Sequence, residues 1–293
     1  MSSLFAPRVW HQEAGRARLS MVLDPHEPYL DHHRPGGRPL LGTALALEAM
    51  ACAVQVIAPG TPVRASHVVV GEPFIVEGSR GGHVDIEVRT HPSRTGFDCV
   101  LTSAGRGPDG VAHFSATLAP ATALAASAPA PAPLSQGIGA DLVYAHFFHG
   151  PALRVVGRAY WQGPQLLADM AGSLANLRAA GECRTHIGPR ALEFALQAAG
   201  LLLLALTGEM RIPAGIRSVC MADGDEGWLH AGCRALARMQ PDGTVDISLE
   251  SGAGTCVAQI EGYRTVPLPF PDGADTRARL RAGLLSTHAP ILR

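Results

Sequence analysis

The sequence predicts an α+β protein in which two curved antiparallel sheets each wrap a central apolar helix. Three observations lead there: a segment rich in alanine and proline divides the 293-residue chain, the elements follow the same order on either side of it, and each half holds one long helix that is apolar on nearly every face. Between Ala119 and Gly139 the chain has little beyond small residues, proline and glycine, which cannot build a core and reads as a linker. The expected units are therefore 1–120, a linker at 121–138, a second unit at 139–270 and a tail at 271–293.

In the first unit RARLSMVL alternates as a strand, GTALALEAMACAVQVI reads as a helix, and PVRASHVVV, HVDIEVRT, FDCVLTSAG and VAHFSATLA follow as strands separated by glycine-bearing turns. The second unit repeats the plan. ALRVVGRAYW is strand-like, PRALEFALQAAGLLLLAL is helical, and GIRSVCMA, WLHAGCRALARM, TVDISLES and CVAQIEGYRTV complete a sheet. The last stretch, ADTRARLRAGLLSTHAPILR, reads as a short helix and tail or as a partly disordered end.

Composition removes several functions. With 24 basic residues, all arginine, and 25 acidic ones, the formal charge of −1 offers no field for a nucleic-acid backbone or an anionic membrane. The six cysteines form no CxxC pair and are too sparse for a disulfide scaffold, so the expectation is a reducing, cytoplasmic setting. The amino terminus carries charge without a following apolar core and does not read as a secretory signal. The longest apolar stretch, Phe194 to Thr207, is shorter than the roughly 20 residues a bilayer-spanning helix needs and contains Gln197, so it is expected to be a core helix.

Polar residues in all-round apolar helices are the informative exceptions. The first helix holds Glu48 and Gln55 seven apart; the second holds Glu193 and Gln197, which stack one turn above each other. Burial disfavours an ionised carboxyl, so Glu193 is expected to have a raised pKa and to act as a proton donor; an exposed carboxylate in the first helical turn is the bland alternative. Ahead of the first helix, PHEPYLDHHRPGGRPLLGTALALEAMA sets His32 and His33 before a glycine-rich turn. Helix amino-terminal amides stabilise an oxyanion and a neutral histidine removes a proton, while His26, His32 and His33 also read as surface residues or metal ligands. No HExxH or Cys/His spacing supports zinc, no GxSxG marks a nucleophilic serine, and no GxGxxG marks a dinucleotide site.

PYLDHHRPGGRPLLGTALALEAMA resembles the first motif of polyketide synthase dehydratase domains and of polyunsaturated fatty acid synthase dehydratases: a histidine, three residues, a glycine, four residues and a proline. In the register supported by GRPLL and Glu48, His33 takes the histidine position, Gly37 the glycine, and Gly42 the usual proline. The other register takes His32 and Gly36 and puts Leu41 at the proline. FFHGPALRVV resembles the family's aromatic-Gly-Pro segment through His149, Gly150 and Pro151, and Glu193 with Gln197 matches its second motif, with glutamate where most polyketide dehydratases have aspartate.

This resemblance spans about residues 10 to 268 and implies a double hot-dog fold with one active site between the halves. It implies that His33 is the base and Glu193 the acid in removing water from a 3-hydroxyacyl thioester. Gln197, Gly37, Gly42, His149, Gly150 and Pro151 would position substrate. No metal or organic cofactor is expected, because the thioester already acidifies the α-carbon. The implied partners are an acyl carrier protein, other synthase domains or subunits, and a second copy of the chain in a homodimer, without nucleic acid or membrane. Isomerisation, cyclisation or thioester hydrolysis on the same fold, and a silent carrier-binding scaffold, stay open as alternative outcomes.

Overall fold

The computed structural model describes residues 2–60, 63–76, 82–90, 95–104, 111–120, 124, 137–222, 226, 228–229, 232–268 and 273–287. The first half runs through β1 (Arg8–Glu13), β2 (Arg16–Leu23), the short helix α1 (Pro28–Asp31), a 3-10 turn at Pro35–Gly37 and the helix α2 (Thr43–Ile57). It closes with β3 (Val63–Val70), β4 (Gly82–Thr90), β5 (Phe97–Ser103) and β6 (Ala112–Pro120). The second half runs through β7 (Ile138–Gly139), α3 (Ala140–Tyr144), a 3-10 turn at Pro151–Leu153, β8 (Val156–Gln162), β9 (Gln165–Met170) and the helix α4 (Pro189–Thr207). It closes with β10 (Arg211–Met221), β11 (Cys233–Met239), β12 (Val245–Ser251), β13 (Cys256–Pro267) and a last helix, α5 (Ala274–Ser286).

Alternation builds the strands. In β2 the side chains of Ala17, Leu19, Met21 and Leu23 turn inward, and β4 alternates in the same way, so each sheet offers one apolar face. That face wraps α2 in the first half, where every residue from Thr43 to Val54 is buried, and α4 in the second. The helix α4 is long and apolar enough to cross a membrane by length and composition, yet the sheet surrounds it and 83% of its most apolar window is buried. The two sheets are joined edge to edge, β3 pairing antiparallel with β10 through Val68–Ile216 and Ala65–Val219, into one 13-stranded sheet. Joining removes two exposed edges, and it brings α2 against α4 at the centre of the molecule.

Three differences from the sequence expectation have physical causes. The strand β1 was not foreseen because all six of its residues are exposed; it is held by backbone pairing to β2 and has no inward face for periodicity to reveal. Most of the expected linker lies outside the described residues, but Ile138 is buried in β7 against Ala159, so the second fold begins inside the segment assigned to the linker. The short helix read in the expected tail forms as α5, but it is no free end and packs on the second fold: Leu280 and Leu284 are buried, Arg281 Nε donates to the Ala205 carbonyl at 3.1 Å, and the Trp161 amide donates to Thr287 Oγ1 at 2.8 Å. Two buried leucines among arginines are too thin a signal to mark a docked helix.

Candidate active site

The two halves meet where their turns precede the central helices. The Gly150 amide donates to the His32 carbonyl at 2.8 Å, so the stretches around His33 and His149 run antiparallel and touch. Gly150 is required for this approach, since a Cβ there would sit 2.7 Å from the His32 ring. The His32 ring accepts the Ala152 amide on Nδ1 at 2.9 Å and is not part of the cavity wall. His32 therefore ties the halves together. His33 is the histidine that faces the cavity, which separates the two registers the sequence left open.

His33 Nδ1 hydrogen-bonds the Leu40 carbonyl at 2.7 Å, and only an Nδ1–H can make that bond, so Nε2 carries the lone pair. The ring is buried, with its Nε2 side against Gly42 at the start of α2. Burial and the neighbouring His149 push its pKa down to about 4, against the opposing pull of Glu193 and the Leu40 bond. At neutral pH His33 is an uncharged imidazole with a fixed tautomer, the form a general base needs.

Glu193 sits on α4 just beyond the first turn, buried, and not as an exposed carboxylate of that turn. Its Oε1 accepts Gln197 Nε2 at 2.9 Å and lies 3.0 Å from His149 Nε2. Gln197 also donates to the Leu153 carbonyl at 2.9 Å, and the Tyr144 hydroxyl donates to Gln197 Oε1 at 2.8 Å while accepting the Val156 amide at 2.7 Å. The raised pKa expected from burial is overturned. Burial does push the carboxyl up, but the hydrogen bond and charge of His149, the charge of His33 and the Gln197 amide outweigh it and hold the carboxyl at about 2.

His33, Gly42, His149, Glu193 and Gln197 line one cavity of about 390 Å³. Away from these groups its walls are mostly apolar, with Leu196, Met210, Ile212 and Val266 among them and Thr43, Arg211 and Tyr263 as the polar exceptions, and Phe147 and Phe148 flank the histidines. Three other expected positioning residues do not line it. Gly37 shapes the 3-10 turn with φ 80°, Gly150 packs on His32, and Pro151 opens the next 3-10 turn; each sets backbone path and none faces substrate space. Tyr144 and Tyr263, which the sequence reading missed, stand beside Glu193 and the cavity, and burial keeps both phenols protonated. Only Tyr144's place shortly before the His-Gly-Pro segment hinted at its role.

The entry to α4 is held by two further carboxyls. Glu48 of α2 accepts the amides of His186 and Ile187 at 2.9 Å, and Glu226 accepts the Ala191 amide at 2.7 Å and Arg190 Nε at 3.1 Å. Glu48, Cys52 and His186 bring three potential ligand atoms within 4.8 Å, but the carboxyl is engaged by backbone amides and burial pushes the thiol far above its usual range. The trio is a joint between the halves.

Two helix-in-sheet folds sharing one buried histidine–carboxylate site define the double hot-dog class. A family model described as polyketide synthase dehydratase N-terminal domain matches residues 119–273, and one described as polyketide synthase dehydratase domain matches residues 3–103. The chain belongs to the polyketide synthase dehydratase family. The reaction of that family is dehydration of 3-hydroxyacyl intermediates in polyketide synthesis.

Among solved structures, the dehydratase domain from the CurF module of curacin polyketide synthase aligns with TM-score 0.73 at 18% identity over 90% of this chain and 98% of that one. The CurK-module domain aligns with TM-score 0.74 at 17% identity over 92% and 99%, and the RzxB dehydratase domain from Pseudomonas fluorescens with 0.72 at 20% over 89% and 97%. At such identities they establish the fold. Two CurK dehydratase variants, one with aspartate changed to asparagine and one with histidine changed to phenylalanine, are described as inactive. Comparison with curated protein sequences gave no match.

Proposed function

We propose that the chain removes water from a 3-hydroxyacyl group held as a thioester on the phosphopantetheine arm of an acyl carrier protein, with His33 as base and Glu193 on the acid side. One observation carries the assignment: a buried neutral imidazole from the first half and a buried carboxyl from the second line the same cavity. His33 Nε2 takes the α-proton. Negative charge then grows on the thioester oxygen, next to the start of α2, where the first amides have no helical acceptor and the dipole favours an anion. The Cβ–O bond breaks as the departing oxygen receives a proton from the Glu193 side, leaving an enoyl thioester and water.

Gln197, fixed by Tyr144 and Leu153, holds the carboxyl in place. The apolar wall accepts the acyl chain. No cofactor enters the scheme, since the thioester itself acidifies the α-carbon. The inactive CurK variants lack one histidine or one carboxyl, which supports a pair of that make-up. A cytoplasmic setting, where carrier-bound intermediates are made, is part of the reading, and all six cysteines are free thiols, as suits it. Pairing of two copies is also part of it: β1 is an edge strand with Trp10 54% exposed, and a homodimer would cover that edge.

The test is incubation with a panel of 3-hydroxyacyl carrier proteins followed by mass analysis. Loss of one water supports dehydration and release of free acid identifies a thioesterase, while an unchanged mass with a moved double bond on the matching enoyl carrier proteins, without loss of water from the hydroxyacyl ones, identifies an isomerase. Binding of carrier protein with no turnover of any hydroxyacyl chain would sink the reading in favour of a scaffold.

A further inference from the structure

An ionised carboxylate cannot donate a proton, yet the acid side of this reaction must. The proton has to sit elsewhere before Glu193 passes it on. His149 is the group in contact, with Nε2 3.0 Å from Glu193 Oε1. Its ring is buried, stacked on Phe148 at 4.4 Å and 5.4 Å from the His33 ring. Other buried histidines use Nδ1 to anchor themselves: His33 bonds the Leu40 carbonyl, and His113 bonds the Glu72 carbonyl while its Nε2 meets Ser103 Oγ. His149 Nδ1 has no hydrogen-bond partner among the described residues. Among those residues the one polar contact of the His149 ring is therefore with the carboxyl across the site, an arrangement suited to exchanging a proton and poorly suited to bracing the fold.

We propose that His149 is the proton-holding partner of Glu193, so that the acid of this dehydratase is a histidine–glutamate pair sharing one transferable proton. The inference rests on the dehydratase reading above. The pair carries one proton between His149 Nε2 and the Glu193 carboxyl; as the Cβ–O bond breaks, that proton passes through the carboxyl to the departing oxygen, which leaves as water. His33 has meanwhile taken the α-proton, so the site ends with a neutral His149, an ionised Glu193 and a protonated His33. With the two rings 5.4 Å apart, the water just released bridges them and returns the proton from His33 to the pair, which resets the enzyme.

Among the described residues, tyrosines and arginines surround the pair, Arg211 in the cavity wall included. Tyr144 on α3 and Tyr263 on β13 are held protonated by burial, and Arg154 Nε donates to the His149 carbonyl at 3.0 Å.

The experiment compares the pH dependence of kcat for wild type and His149→Gln with 3-hydroxyhexanoyl-pantetheine as substrate. Glutamine keeps a donor for Glu193 but stores no proton. The expected result is a kcat loss of about 100-fold with KM changed less than about threefold, and an alkaline limb moved to lower pH, because Glu193 must then hold its own proton. An alkaline limb in the same place as wild type would reduce His149 to a brace and overturn the assignment, while the dehydratase reading would stand. No turnover by wild type would overturn both. If His149→Gln does not fold, nitrogen-15 NMR of histidine-labelled wild type at neutral pH decides: imidazolium-type signals from both His149 nitrogens support the pair, and a bare Nδ1 signal overturns it.

Discussion

The two central helices carry the same residue in the same setting and treat it in opposite ways. Glu48 on α2 and Glu193 on α4 are both buried in helices whose surroundings are apolar. Burial pushes Glu48 up to about 8, because the amides of His186 and Ile187 and the Cys52 thiol only partly offset the loss of water. Burial pushes Glu193 up too, but His149, His33 and Gln197 reverse the sign and bring it to about 2. Desolvation sets the size of the problem, and the identity of the partner sets its outcome. Neutral amides make a carboxyl into a joint, whereas a second titratable ring makes it part of a reaction.

The sharpest way to break this comparison is to make the same change on both helices. Glu193→Gln should lower kcat by about 10²–10⁴, because the side-chain shape survives and the transferable proton does not. His33→Phe should lose activity on the same scale. Glu48→Gln should do the reverse. It sets an amide donor against backbone donors, costs about 1–3 kcal/mol, and lowers the melting temperature by several degrees while folded protein keeps its kcat. Paired melting curves and steady-state rates settle it, and equal loss of kcat in Glu48→Gln and Glu193→Gln would erase the distinction.

Much of the fold was legible because burial writes itself into periodicity. The strands β2 and β4 alternate, and α2 and α4 are apolar all round, so the order of elements in both halves was readable without coordinates. The strand β1 was not, since it presents no apolar face; α5 was readable as a short helix, but its docking was not, since two buried leucines do not mark a packed face. At the site, His33, Gln197 and Glu193 stood out as polar residues beside or within apolar helices. What sequence could not supply was the contact between His149 and Glu193, because it depends on the antiparallel meeting of two turns 116 positions apart at His33 and His149. The sign of the Glu193 shift was lost with it: reasoning from burial alone is right for Glu48 and wrong for Glu193.

The same pair of carboxyls predicts stability with opposite slopes in pH. Glu48 has a folded value of about 8 against 4.5 for the free group, so its contribution is complete below 4.5 and is lost as pH rises toward and through 8, at up to about 1.4 kcal/mol per pH unit. Glu193, with a folded value of about 2, contributes above 4.5 and loses that contribution as pH falls through 2. His33, at about 4 against 6.5, likewise weakens the fold on the acid side. Urea unfolding between about pH 7 and 8, above the 6.5 at which unfolded histidine titrates and where Glu48 alone of these groups still binds protons differently in the two states, should show stability falling with rising pH in wild type. The slope should flatten in Glu48→Gln, and an unchanged slope would mean that Glu48 is ionised throughout.

The smallest expected effect concerns room for substrate. Gly200 lies on the cavity side of α4, one turn beyond Gln197 and two turns beyond Glu193, and it is not among the residues with positive φ. A glycine inside a helix costs about 1 kcal/mol relative to alanine, so its presence here calls for a reason. Sterics do not demand it, since a Cβ would rest at an ordinary 3.6 Å from Phe147 Cζ. What the missing side chain leaves is open space beside Leu196, where the acyl chain runs in the proposed complex. Gly200→Ala should raise the melting temperature slightly and leave turnover of short 3-hydroxyacyl thioesters unchanged. Gly200→Leu should fill the space and lower kcat/KM for long chains by about tenfold relative to short ones, the scale of one or two displaced methylenes. A chain-length profile that is the same in Gly200→Leu as in wild type would put the acyl chain along another wall.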